Sequence, residues 1–192
     1  MPTPFDAVST YFYAKDSNRP FLMRRAFTPN VELEMVVNTE SISFPSSASG
    51  LVAIENILSR RFANDMENVY TFCLSRPTDA NRHHFPCHWL VGMSSKNNGP
   101  IRVGSGRYDW YFTPDEHCLV RRLIITIDLM QIFPANSIDT IMNWLTDLAY
   151  PWSTPEDVMR TMPRIDGMAE VEQYLKALRP IPVETLAVAP LS

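Results

Sequence analysis

The sequence predicts an α+β fold: three N-terminal helices packed on one side of a strongly curved antiparallel sheet, then a C-terminal helical extension. Three observations carry this. Helix caps and an apolar stripe at three- and four-residue steps mark the first third of the chain. Four long runs of strand composition follow, separated by turn signals at Pro77-Thr78-Asp79, Asn97-Asn98-Gly99 and Pro114-Asp115-Glu116. After Pro134 the pattern turns helical again. Short connections favour antiparallel hairpins over crossovers, and helices followed by a meander pack to one side of the sheet.

In chain order, DAVSTYFYAKDSN opens with Asp6 or Ser9 as cap and reads as a short helix. Pro20 suits the first turn of a second helix, PFLMRRAF, which ends before Pro29. NVELEMVV alternates as a strand. A loop rich in Ser and Pro leads to a helix from about Leu51 to Asn64, with Leu51, Ile54, Leu58 and Phe62 on its buried face. The strands are NVYTFCLS, HFPCHWLVGMSS, PIRVGSGRYDWYF and CLVRRLIITIDLMQIF; Gly104 and Gly106 permit a bulge or sharp curvature. Beyond them SIDTIMNWLTDLAY, TPEDVMRTM and GMAEVEQYLKAL read as helices that dock on the sheet or on a partner subunit, and the Pro-rich tail from Pro180 reads as mobile.

At 192 residues, 45% hydrophobic and 20% charged, the composition is that of one soluble globular domain with an appendage. The division falls at 1–134 for the α+β domain and 135–192 for the extension and tail. A net charge of −4 and scattered arginine pairs supply no basic patch, which argues against nucleic acid and anionic membrane as partners. The N-terminus lacks a basic stretch followed by an apolar run, and the longest apolar segment holds two arginines and an aspartate, so neither a signal peptide nor a membrane span is expected. Cys73, Cys87 and Cys118 are odd in number and isolated, which suits a reduced cytoplasm better than a disulfide framework.

The stretch GRYDWYF poses the functional question. Alternation puts Arg107, Asp109 and Tyr111 on one face and Tyr108, Trp110 and Phe112 on the other. An ionised carboxylate on a strand that enters the interior is paired, solvated in a pocket, or neutralised. His83, His84, Cys87 and His88 do not make a metal site. In an extended segment His84 and His88 lie about 13 Å apart, and Cys87 and His88 point to opposite faces. VGSGRY has two glycines but no third and no following helix, so it is no dinucleotide fingerprint. No cofactor is expected.

The order helix, helix, strand, helix, meander resembles the NTF2-like superfamily, and within it the SnoaL-like branch of ketosteroid isomerases, scytalone dehydratases, limonene epoxide hydrolases and polyketide cyclases. The resemblance runs from about Val8 to Phe133 and rests on YFYAKDSNRPFLMRRAFTPNVELEM, GLVAIENILSRRF and GRYDWYF with LVRRLIITID. It implies a cone-shaped fold around a mostly apolar pocket, with Arg107, Asp109 and Tyr111 facing that pocket and Tyr108, Trp110 and Phe112 on an outer face used for a homodimer. It places Tyr11 as an oxyanion-hole donor opposite Asp109 as a neutral, hydrogen-bond-donating acid, the arrangement of ketosteroid isomerase itself. That isomerase's base falls on Met35. Asp16 matches the dehydratase aspartate, whose histidine partner falls near Thr71, with His88 on the next strand as substitute. Asp128 resembles an epoxide-hydrolase aspartate. Against these roles stand plainer ones: Asp109 paired with Arg107, Tyr11 as a core aromatic, Asp16 as a solvated helix end.

Together these readings imply a cytoplasmic protein that binds a small, largely apolar or polyketide-like molecule, with cofactor-free acid–base chemistry (isomerisation, dehydration or cyclisation) if it is an enzyme. The alternative is a non-catalytic binding or assembly module resembling the β subunit of ring-hydroxylating dioxygenases.

Overall fold

The computed structural model describes residues 2–78 and 81–183. Asp79 of the expected turn and the tail from 184 onward lie outside the described residues. Six strands, β1 (Phe27–Val37), β2 (Ser47–Ser49), β3 (Met66–Cys73), β4 (His84–Ser95), β5 (Ile101–Phe112) and β6 (Val120–Phe133), form one curved sheet in the order β2-β1-β6-β5-β4-β3. The meander from β3 to β6 is antiparallel throughout, as the short turns required. One pairing departs from that rule: β1 runs parallel to β6. The whole meander lies between these two strands in the chain, so no single crossover helix is involved.

Helix α1 (Pro4–Asp16) starts earlier than expected, because Thr3 rather than Asp6 or Ser9 is its cap. The Thr3 hydroxyl accepts from the Asp6 amide at 3.3 Å and the Asp6 carboxylate accepts from the Thr3 amide at 2.9 Å, a reciprocal capping box with Pro4 at the first helical position. The second helix is a 3₁₀ turn, Pro20–Arg25, and Phe27 already belongs to β1. The helix expected over 51–64 is interrupted: α2 (Leu51–Glu55) passes through a π-helical turn, Asn56–Arg60, into α3 (Phe62–Asp65). Ile54 and Leu58 still face the inner side of the sheet.

A bulge sits where the two glycines predict one. Ser105 pairs with Leu129 and Gly106 with Ile127, which leaves Asp128 as the extra residue. The alternation of β6 shifts there: Leu123, Ile125 and Ile127 point inward before it, Met130 after it. The faces of β5 are the reverse of those expected. Tyr108, Trp110 and Phe112 lie in the inner core with Tyr11, Phe12 and Phe27, and Trp110 meets the Tyr11 ring edge-on at 5.0 Å. Arg107, Asp109 and Tyr111 therefore lie on the outer face. Three large aromatics bury far more apolar surface than an Arg, an Asp and a Tyr, so the face that meets the aromatics of α1 takes them. The aromatic stripe that suggested a sheet-mediated homodimer is inside.

The extension docks on its own sheet. Helices α4 (Ile138–Thr146), α5 (Pro155–Arg160) and α6 (Met168–Ala177) cover outer-face residues Phe72, Leu90, Ile101, Val103 and Phe133 with Ile141, Leu145, Val158, Val171 and Leu175. Between α4 and α5 the chain wraps the edge of β3: the Cys73 amide donates to the Pro151 carbonyl at 2.8 Å and the Ser153 amide to the Cys73 carbonyl at 3.0 Å. Trp152 stacks on Phe5 of α1 at 4.9 Å. Cys73 and Cys87 are not isolated. They face each other across β3 and β4 as a disulfide, Cα atoms 6.4 Å apart, while Cys118 is free and buried. No helix among the described residues is long and apolar enough to cross a membrane.

Candidate functional site

The inner face of the sheet and the helices line a partly open cavity of about 60 Å³. Its walls are apolar, with Met35, Leu58, Val91, Ile125, Ile127 and Met130. Met35 thus sets a thioether where the resemblance places an isomerase base. Polar groups gather at one end: Tyr11 and Lys15 of α1, Thr71 of β3, Trp89 of β4 and Tyr108 of β5. Tyr11 and Lys15 are four residues apart and so share one face of α1.

The hydroxyls of Tyr11 and Tyr108 hydrogen-bond each other. Burial pushes Tyr11 well above the usual tyrosine range, and the neighbouring Tyr108 adds to that. Burial also raises Tyr108, although its bond with Tyr11 works the other way. Both phenols are therefore neutral donors at physiological pH, not phenolates. Because their folded pKa values lie above the unfolded value of about 10, the stability they carry is fully present below pH ~10 and lost as pH rises beyond it. Chemical denaturation from pH 8 to 11 should show stability falling above pH ~10, and the Tyr11→Phe variant should flatten that fall.

Lys15 is 8% exposed, and two of its three N–H donors are taken, by the Asp16 carboxylate at 2.6 Å and the Thr71 hydroxyl at 2.8 Å. Asp16 is fully occupied. One oxygen accepts from Lys15 and from the Thr71 hydroxyl at 3.0 Å; the other accepts from the Thr71 amide at 2.7 Å and the Tyr150 hydroxyl at 3.0 Å. Four donors use the acceptor sites of a carboxylate, so Asp16 orients Lys15, Thr71 and Tyr150 and has no lone pair facing the cavity. The helix-end carboxylate that opposes its own dipole is explained by these partners. The Nε1–H of Trp89 is buried and has no hydrogen-bond partner among the described residues.

Of the residues singled out in the sequence, the structure brings together Tyr11 and Asp16, with Lys15 and Thr71 between them. The others lie elsewhere. Asp109 is on the outer face, where its carboxylate accepts from His84 Nε2 at 3.0 Å and from the Arg107 guanidinium, and Tyr111 stacks on His84 at 4.6 Å. Tyr11 and Asp109 do not converge. His88 Nε2 donates to the Arg179 carbonyl at 3.0 Å. Asp128, at the bulge, accepts from Asn38 at 2.8 Å and from Tyr174 of α6 at 2.7 Å, which ties the extension to the sheet. Sequence reasoning missed Lys15, Trp89, Tyr108 and Tyr150. The Tyr11-to-Lys15 spacing was a legible signal for the first; the other three depend on strand phase and on a contact spanning most of the chain.

No family model matches the chain, and no curated protein sequence does. Solved structures do. The BvnE pinacolase from Penicillium brevicompactum shares 12% identity over 65% of this chain and 84% of its own, with a TM-score of 0.50. An NTF2-like superfamily protein from Salmonella enterica serovar Typhimurium shares 14% over 65% of this chain and 88% of its own, at 0.51. A computationally designed 17-OHP binder shares 12% over 68% of this chain and 99% of its own, also at 0.51. At these identities the likeness concerns architecture, and together with the curved, unclosed sheet and the helices packed on it, it establishes that this chain has the NTF2-like fold.

Proposed function

We propose that this protein binds a small, largely apolar molecule in the cone, held at one end by the donors of Tyr11, Tyr108, Trp89 and Lys15. One observation carries this: an apolar cavity with hydrogen-bond donors gathered at one end, where the buried Trp89 N–H has no partner among the described residues and Lys15 is held by Asp16, Thr71 and the Phe62 ring. A ligand with a carbonyl-type acceptor and an apolar body complements it. The SnoaL-like resemblance supports the same class of ligand. The geometry favours binding over proton transfer, because Met35 replaces one base and Asp16 has its acceptors committed. Asp109, Arg107, Tyr111, His88 and Asp128 act in this reading as structural groups of the outer face.

Titration with cyclopentanone, read from the Trp89 indole N–H signal by NMR, tests the proposal. The expected result is saturable binding, weakened about fivefold by Tyr108→Phe, the loss of one net hydrogen bond of about 1 kcal/mol. A silent indole signal up to millimolar ketone would overturn it. One observation favours the second reading, a non-catalytic assembly module: about 60 Å³ is far below the ~300–1,000 Å³ of ordinary ligand pockets. A silent titration would leave that reading standing.

A further inference from the structure

The cavity's small size has a structural cause on one wall. A second hollow of about 250 Å³ lies beside it, lined by Ser43, Pro45, Ile57, Arg61, Asp65 and Met66. Ile42, Phe44 and Phe62 line both spaces. Three side chains therefore divide an inner chamber from an outer groove. Given one water per about 10–15 Å³ of such space, the inner chamber holds about four to six waters, equivalent at most to a ligand of about six heavy atoms, the size of 2-pentanone. Joined, the two spaces reach the lower end of the range for ligand pockets, about 300 Å³.

The partition is made from the least regular part of the domain. Ile42 and Phe44 sit on the loop between β1 and β2, outside any strand or helix, and both are only partly buried. Phe62 opens α3 directly after the π-helical turn Asn56–Arg60, where the hydrogen-bond register of the helix changes. None of the four residues of α3 is buried, and no side chain caps its start. The opposite wall is sheet, from Val91 to Ile125, and is rigid by comparison. If one wall moves, it is this one.

We infer that the inner chamber and the outer groove are two halves of one elongated site, parted by Ile42, Phe44 and Phe62, and that it takes a linear apolar ligand. The acceptor head of that ligand sits at Tyr11 and Tyr108, and its chain passes the partition into the groove beside Ile57. This rests on the binding reading above and adds the shape of the ligand to it.

A series of 2-alkanones from pentanone to undecanone tests the inference on the full chain, with the Trp89 indole N–H as reporter. Affinity is expected to rise about three- to fourfold per methylene and to keep rising beyond pentanone, where the inner chamber is full. Ile57→Trp fills the groove without touching the chamber. It should stop the gain beyond pentanone and leave pentanone affinity unchanged. Phe62→Ala, which removes the partition, should speed association of the long ketones at least severalfold. A plateau from pentanone onward in the unaltered protein, or equal gains with and without Ile57→Trp, would overturn the elongated site and leave the chamber as a small-ligand pocket. Failure of pentanone itself to bind would overturn the binding reading, and the inference with it.

Discussion

Asp109→Asn is expected to lower the stability of this protein by about 2–3 kcal/mol and to leave ketone binding unchanged. Asp109 is 6% exposed and its carboxylate holds two groups on the outer face, His84 Nε2 at 3.0 Å and the Arg107 guanidinium. Removing one partner of a buried ion pair costs about 3–5 kcal/mol, because the other charge stays behind unpaired. Arg107 is 39% exposed on its side chain, so solvent recovers part of that loss, which sets the lower figure. The amide also offers hydrogens to a neighbour that it previously accepted from. For a chain of this size the melting temperature should drop by about 5–10 °C. Binding should not change, since Tyr108 faces the cavity and Asp109, one residue on, faces away. Unaltered melting together with a loss of ketone affinity would return Asp109 to the pocket.

Gly106→Ala should cost about 3 kcal/mol or more. A Cβ at this position would stand 2.0 Å from the Thr126 carbonyl oxygen and 2.7 Å from the Trp89 ring. The first neighbour is backbone of the adjacent strand and the second is packed between sheet and cavity, so neither has room to yield, and overpacking of this kind costs ~1–3 kcal/mol or more. The backbone would separate from β6 beside the Asp128 bulge, and Trp89 would leave its place on the cavity wall. Gly50→Ala provides the contrast. Gly50 has φ +87° and ψ 147°, but its Cβ would meet nothing nearer than 3.8 Å, so only backbone strain of about 1–3 kcal/mol applies. Denaturant melts of both variants, with ketone titration of whichever folds, check the ranking. Equal losses at the two glycines would contradict the close approach at Gly106.

Apart from the short strand β2, which reads as loop, the order of elements, the antiparallel meander, the bulge beside Gly106 and the helical extension were legible in the residues. Each follows from local chemistry: periodicity, caps, turn residues and the freedom of glycine act over a few positions. The likeness of fold was legible for the same reason, as it rests on the succession of such segments. Within the site, Tyr11 was legible and Lys15 lay one turn beyond it.

The phase of β5 was not. A period of two has no sign, and both faces of GRYDWYF carry aromatic rings, so composition along the strand cannot say which face turns inward. That was decided by what the rest of the chain presents: the aromatics of α1 on one side, and on the other His84, which pairs with Asp109 where Arg107 reaches water. The partners of Asp16 were settled the same way, since Tyr150 lies 134 residues away and arrives only because the extension wraps the edge of β3. Cys73 and Cys87 likewise meet through strand pairing that no cysteine spacing announces. The residues by themselves determined which segments are strands and helices; the tertiary structure alone decided which faces meet, because burial is a property of pairs of surfaces brought together from distant parts of the chain.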